Sequence, residues 1–397
     1  MKEGLPMPPE VAMILFKGCR VYAPDSLGEN DVLVAGGKIA AVARSIRPAA
    51  GCKTETVDGK SLRLLPGLID GHVHIAGAGG EGGPATRTPE MRLADMLEGG
   101  ITTVIGCLGT DGLTRSVASV LMKAKGLRQE GVSAWIYTGA YQVPPPTLLG
   151  DVGKDLALVE EVIGVGEIAI ADHRSSSPSL GELIRLAKLA RVGGMIGGKA
   201  GIVNIHLGDA PEPFSMLYDA VEQSELRFSQ FLPTHCNRTR AVFEAAKKYG
   251  KQGFVDMTAS SYPFYPNEEI KPAACLRELL EAGVPLKHIT FSSDGCGSLP
   301  VFDEKGDLKS LASGKPKAIF TELIDAVRQE KIPLEKALPV VTSNVAAILR
   351  LPFKGAIGAG MDADLLLLDS RDHIRHLLAH GRWLVRDGET VHRGCFA

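Results

Sequence analysis

The sequence predicts an α/β protein, a (β/α)8 TIM barrel with a small β-sandwich formed by the N- and C-terminal segments. Apolar or β-branched runs alternate with helical stretches eight times through the middle of the chain, as a parallel sheet with crossover helices requires. Both ends carry short, turn-bounded strands without helical periodicity of useful length. At 397 residues the chain is too long for one ordinary domain but suits a barrel with a smaller module. The expected boundaries are 1–62 for the first part of the sandwich, 63–350 for the barrel and 351–397 for the rest of the sandwich.

Strands are expected at 13–16, 20–22, 31–35, 38–43 and 54–58, with Gly36-Gly37 as a hairpin turn between the third and fourth. The barrel strands fall near 64–70, 102–107, 133–138, 167–172, 202–206, 230–235, 253–257 and 289–294. Helical stretches lie at 89–98, 113–130, 180–191, 213–225, 239–250 and 268–282, then at 315–330 and 333–350. Residues 365–368, 374–378, 382–385 and 390–392 return to strand texture.

Composition narrows the function. The chain is 45% hydrophobic and 23% charged, as in a soluble globular protein. A net charge of −2 with no basic cluster offers no electrostatic reason to bind nucleic acid or an anionic membrane. The apolar run 11–16 is too short for a signal segment or a membrane span. Seven irregularly spaced cysteines without a CxxC favour free thiols in a reducing compartment. A cytoplasmic location is expected.

His72-Val73-His74 follows the apolar run 64–69. Side chains two apart in an extended segment point the same way, so both imidazoles can reach one ion. His206, His235 and Asp294 likewise end short apolar or β-branched runs, and catalytic groups of a (β/α)8 barrel sit at the carboxyl ends of its strands. A carboxylate there can hold a metal and take a proton from the attacking water, which gives Asp294 two roles. The set points to a metal-dependent hydrolase.

Gly77-Ala78-Gly79-Gly80-Glu81-Gly82 matches the dinucleotide fingerprint in spelling only. Gly83-Pro84 follows, and no helix opens immediately behind the glycines to hold a pyrophosphate. A loop folded over a small substrate, presenting Glu81, is the better reading. Arg174 and Arg238 each follow a ligand-bearing strand, and a guanidinium binds carboxylates bidentately. Tyr141 follows the third strand and could donate to an oxyanion.

These motifs resemble a known family. Gly71-His72-Val73-His74, Gly355-Ala356-Ile357-Gly358 and Asp362-Ala363-Asp364-Leu365-Leu366 look like the amidohydrolase superfamily. More narrowly, Gly79-Gly80-Glu81, Thr86-Arg87-Thr88-Pro89-Glu90, Leu108-Gly109-Thr110-Asp111, Thr138-Gly139-Ala140-Tyr141, Asp172-His173-Arg174-Ser175, Leu232-Pro233-Thr234-His235 and Ser293-Asp294-Gly295 resemble the isoaspartyl (β-aspartyl) dipeptidases. The likeness runs from about residue 15 to 394. It implies a binuclear zinc hydrolase that cleaves β-aspartyl dipeptides to aspartate and an amino acid. By that resemblance His72 and His74 hold one metal and His206 and His235 the other, while Asp294 binds the first and serves as base. Glu81 binds the substrate amine and Tyr141 polarises the scissile carbonyl. Gly79, Thr110, Arg174, Arg238 and Ser298 hold the two carboxylates. The expected partners are a small dipeptide substrate and further copies of the chain as a homo-oligomer, with neither nucleic acid nor membrane.

One departure stands out. The family carries a carboxylated lysine on strand four that bridges the metals. Here the strand reads Gly166-Glu167-Ile168-Ala169-Ile170-Ala171, and no lysine lies between Lys154 and Lys188. Glutamate bears the same charge as a lysine carbamate and donates through oxygen, so Glu167 is the expected bridge. A cyclic-amide hydrolase or an N-acyl amino acid deacylase would share the metals but have less use for Glu81 together with two arginines. A catalytically inactive scaffold would have lost ligands, and only the lysine is exchanged.

Overall fold

The computed structural model describes residues 13–48, 50–302 and 308–395; the first two residues of the apolar run 11–16, like the start of the expected N-terminal segment, lie outside them. The chain divides into two compact units, Met1–Gly67 with Phe353–His392, and Leu68–Pro352 with Arg393–Ala397.

In the first unit the strand Met13–Tyr22 is the hub. It runs antiparallel to Ser26–Ala35, parallel to Thr54–Asp58 through its first half and parallel to Arg63–Pro66 near its end. A register shift between Phe16 and Cys19 turns the strand, so that it serves two partners in succession. Arg63–Pro66 then pairs with Leu365–Leu368, which brings in Ile374–Ala379, Arg382–Arg386 and Glu389–Thr390. Strands from both ends, with Lys38–Ala43 at one edge, thus form one continuous nine-stranded sheet among the described residues, so the two termini pair with each other as expected. Phe16, Val32, Leu64, Leu365, Leu367 and Leu378 form its core.

The run 64–70, expected as one strand, is two. Proline at 66 ends Arg63–Pro66, the Gly67 N–H donates to the Asp364 carbonyl (2.9 Å), and Leu68–Val73 begins a new strand. His72 therefore lies inside that strand, and His74 just beyond it.

The second unit contains a six-stranded parallel sheet in chain order: Leu68–Val73, Ile101–Gly106, Ser133–Thr138, Val162–Ile170, Ile202–Leu207 and Phe231–Thr234. Val255–Thr258 and Ile289–Ser292 form a parallel pair. At the carboxyl ends, the Cys236 N–H donates to the Asp256 carbonyl (3.1 Å), Asp294 N–H to the His72 carbonyl (3.1 Å) and His74 N–H to the Gly295 carbonyl (2.9 Å). Several of the helices between the strands start where short polar side chains cap them. Ser116, Asp151, Ser179 and Thr239 each accept a backbone N–H three residues on.

Three departures from expectation have local causes. The helix Val152–Leu158 is too short to show periodicity, and only its cap at Asp151 marks it. The expected helix 333–350 breaks into Leu334–Ala337, a 3-10 turn Leu338–Val341 and Ser343–Ile348, because Thr342 adopts φ −141°, ψ −96°. The segment after Asp294 carries an antiparallel hairpin, Ser298–Phe302 with Leu308–Ser313.

Ile69, Ile105, Tyr137, Ile202 and Leu232 pack against Val345, Ile348 and Leu349. Above this floor lies a buried polar layer. Asp256 accepts from Thr234 Oγ1 (2.7 Å), Thr290 Oγ1 (2.6 Å) and Ser292 Oγ (2.5 Å), and Asp70 accepts from the Ser293 N–H (2.9 Å) and hydroxyl. Burial pushes the Asp70 carboxyl up to about 7. This layer ties neighbouring strand ends together directly beneath the histidines.

Candidate active site

His72, His74, Glu167, His206, His235 and Asp294 come together at the carboxyl ends of the parallel strands. Two of them need unusual backbone: His235 (φ 60°) and Asp294 (φ 53°) occupy the left-handed region, which costs a non-glycine residue roughly 1–2 kcal/mol. Both follow a strand, so the turn re-aims each side chain toward the centre, where strain of this kind is commonly held in place by the surrounding structure.

Each imidazole aims one nitrogen at the centre while the other nitrogen has its own neighbour. His72 Nδ1 lies 3.0 Å from Asn204 Oδ1 and His235 Nδ1 2.6 Å from Thr258 Oγ1, so both rings donate outward and turn Nε2 inward. His206 is reversed: its Nε2 meets Asp172 Oδ2 at 2.9 Å and its Nδ1 faces Glu167. His74 turns Nε2 toward Asp294 and has Cys107 Sγ 3.7 Å from Nδ1.

Glu167, 1% exposed, stands between two groups of nitrogens. Its Oε1 lies 2.5 Å from His206 Nδ1 and 3.0 Å from His235 Nε2. Its Oε2 lies 3.5 Å from His72 Nε2 and 3.8 Å from His74 Nε2. Asp294 Oδ1 is 2.9 Å from His74 Nε2 and 3.7 Å from His72 Nε2. Donors at about 2.0–2.2 Å from one divalent ion stand roughly 3–3.7 Å apart, so most of these spacings fit a metal, while Oε1 and His206 Nδ1 at 2.5 Å are in direct contact. Glu167 Oε2 and Asp294 Oδ1 are also buried without a hydrogen-bond partner, a deficit of about 1–3 kcal/mol each that a cation would relieve.

Electrostatics mark the centre as rich in negative charge. Burial alone would raise the Glu167 and Asp294 carboxyls, but the surrounding histidines hold both below the usual carboxylate range. Burial opposes charge on His72 and His74, yet Cys107 with Glu167 carries His72, and Cys107 with Asp294 carries His74, well above the ordinary value. Burial drives His235 down to about 3, which keeps it neutral and able to donate a lone pair.

The donors open into a cavity of about 330 Å³. Gly79, Glu81, Thr110, Tyr141, Arg174, Arg238 and Ser298 all line it. Gly79 must be glycine: its φ is 75°, and a Cβ there would sit 2.4 Å from the Thr86 carbonyl oxygen and 3.2 Å from Ser298 Cβ. Glu81 is the meeting point of the set. Thr110 Oγ1 donates to Oε1 (2.9 Å), Ser298 Oγ donates to Oε2 (3.4 Å), and Arg174 Nη1 lies 3.7 Å from Oε1. The Tyr141 hydroxyl lies 2.7 Å from His206 Nδ1. Its pKa is raised well above 10, by burial first and Glu167 next, so it remains a donor.

The sequence reading passed over two residues. Asp172, its side chain 3% exposed, accepts from Arg174 Nε (3.0 Å) and Nη2 (2.8 Å) and from Arg238 Nη1 (3.2 Å), besides orienting His206. Both arginines are therefore tied to one carboxylate before any substrate arrives. Cys107, fully buried, lies 3.6 Å from His72 Nε2. Both residues follow parallel strands, the same signal that singled out the histidines.

Comparison with known proteins bears on this site. The amidohydrolase family matches residues 233–390. A solved β-aspartyl dipeptidase from Fervidobacterium islandicum AW-1, in complex with β-Asp-Leu dipeptide, is 41% identical, with a TM-score of 0.88 over 95% of this chain and 98% of that one. The chain belongs to the amidohydrolase family. This amidohydrolase is a hydrolytic enzyme, and its resemblance to the β-aspartyl dipeptidases extends from motifs to whole-chain structure. Relatives with other names match as well: an L-hydantoinase from Paenarthrobacter aurescens is 24% identical, covering 90% of this chain and 85% of its own length. A dihydroorotase from Elusimicrobium minutum is 24% identical, covering 89% and 88% respectively. Among the described residues no helix is long and apolar enough to cross a membrane.

Proposed function

We propose that this amidohydrolase cleaves β-aspartyl dipeptides to aspartate and an amino acid, in a closed (β/α)8 barrel carrying the small β unit built by both chain ends. The observation that carries the reading is Glu81 held by Thr110, Ser298 and Arg174 at the mouth of the donor cavity. Among the cavity's acids, Asp209, Glu268 and Glu269 included, Glu81 is the one held against Arg174, and it and the two arginines complement a substrate with one ammonium and two carboxylates. The 41% identical β-aspartyl dipeptidase supports the same substrate class.

His72, His74 and Asp294 would hold one divalent metal and His206 and His235 a second, with Glu167 offering an oxygen to each set in place of a carboxylated lysine. Bound there, zinc ions would supply Lewis acidity toward the scissile carbonyl and acidify the attacking water. The protein's own groups do the rest. Glu81 binds the ammonium, while Arg174 and Arg238, with Gly79, Thr110 and Ser298, fix the carboxylates. Tyr141 donates its hydroxyl proton in a hydrogen bond to the carbonyl oxygen as charge develops there. Asp294 accepts a proton from the attacking water and returns it to the departing amine.

The enzyme should therefore cleave β-Asp-Leu far faster than α-Asp-Leu, since the two linkages set the carbonyl differently relative to an ammonium fixed by Glu81. Glu81→Gln should lower kcat/KM for β-Asp-Leu by about 10²-fold or more, the scale of a charged group left unpaired. The measurement is kcat/KM for both dipeptides and for dihydroorotate. Equal rates on the two linkages, or a preference for the cyclic amide, would pass the protein to the hydantoinase and dihydroorotase side of the family.

Asp172 carries a separate prediction. A carboxylate at His206 Nε2 favours the tautomer with its proton there, which leaves the Nδ1 lone pair for a metal. Asp172→Asn should weaken affinity for the more loosely held metal by about 10–100-fold. Competition with a chromogenic chelator measures it, and an unchanged affinity would reduce Asp172 to an anchor for the arginines.

A further inference from the structure

We propose that Cys107 is a metal ligand, a thiolate that completes the site formed by His72, His74, Glu167 and Asp294. This rests on the metal-binding reading above and adds a sulfur donor to it.

The placement is that of the other donors. Cys107 follows the strand Ile101–Gly106 directly, next in the sheet to Leu68–Val73, which carries His72. It is fully buried. Its Sγ lies 3.6 Å from His72 Nε2, the nitrogen that faces the centre. Sulfur at about 2.3 Å and nitrogen at about 2.0 Å from one four- or five-coordinate zinc stand roughly 3–3.7 Å apart. Single ligand atoms of His72, His74, Cys107 and Glu167 all fall within 4.8 Å of one another. A lone buried thiol would mean little, but the unpartnered Oε2 of Glu167 is aimed into the same cluster. The rest of the thiol's surroundings offer it little: the Val73 carbonyl at 3.5 Å is a weak acceptor.

Binding converts the thiol to a thiolate, with the S–H proton released to solvent as the metal–sulfur bond forms. The thiolate brings a third negative charge beside Glu167 and Asp294. A soft donor of this kind favours zinc, cobalt or cadmium over manganese or magnesium.

The test loads the metal-free full-length enzyme with cobalt(II), in a Cys52→Ser/Cys395→Ser background that removes the two exposed thiols. Bound cobalt should give a thiolate-to-cobalt charge-transfer band in the near ultraviolet. Cys107→Ser should abolish the band and weaken cobalt affinity by about tenfold or more. X-ray absorption of the zinc-loaded unmutated enzyme, which needs no variant to fold, should show sulfur among the zinc ligands. Cobalt and zinc bound with no band and no sulfur would overturn the assignment and leave Cys107 as the neighbour of His74 Nδ1. An enzyme that binds neither ion would sink the metal reading itself, so the two failures are distinguishable.

Discussion

Replacing Asp294 by asparagine should lower kcat by at least about 10²-fold, the usual contribution of a positioned general base. The expectation rests on where the carboxylate stands. A left-handed turn after Ile289–Ser292 swings Asp294 inward, 2.9 Å from His74 Nε2, with Oδ1 buried and without a hydrogen-bond partner. Asparagine has nearly the same shape and keeps one oxygen donor, so metal content should change little. Its amide cannot accept the proton of the attacking water, so the loss should fall on kcat, with KM less affected. The check is steady-state kinetics on β-Asp-Leu alongside metal analysis of the same preparation. A near-normal rate with metals still bound would remove Asp294 from proton transfer.

Glu167→Ala should be the most damaging single substitution. One carboxylate faces His206 and His235 through Oε1 and His72 and His74 through Oε2. Its loss removes an anion from the middle of four imidazoles. Metal content should fall from about two ions per chain to about one or fewer, with activity down by more than about 10²-fold. Chelation of the unmutated enzyme should abolish hydrolysis, with zinc restoring it. Because glutamate needs no carbon dioxide to bear its charge, activity should be indifferent to bicarbonate. Glu167→Lys, by contrast, should regain activity when bicarbonate is added, if a carbamate forms in the space. Two metals and normal turnover in Glu167→Ala would show that the bridge lies elsewhere.

Much of this was legible in one dimension because strand ends are marked in sequence. Each of His72, His206, His235 and Asp294 closes a short apolar run, and an apolar run buried on both faces has few other readings. That strand four carries Glu167 and no lysine was likewise visible without coordinates. The run 64–69 was read through its Pro66-Gly67 pair, the one signal in it that marks where one strand ends and another begins at Leu68. The helix Val152–Leu158 and the hairpin Ser298–Ser313 were missed because short elements carry too few turns or alternations to show a period.

By itself the sequence determined the α/β class, the β character of both termini, the donor types and which strand delivers each, since these follow from local periodicity and residue chemistry. Tertiary structure alone decided how the donors are used. Which nitrogen of each histidine faces inward depends on Asn204, Thr258 and Asp172, which come from other strands. That Asp172 already engages both arginines, and that Cys107 stands against His72, are contacts across 66, 2 and 35 positions of chain. Two of these three are distances that no local pattern encodes. The sheet brings such residues together because parallel strands place their carboxyl ends side by side, and only the folded chain shows which side chains then meet.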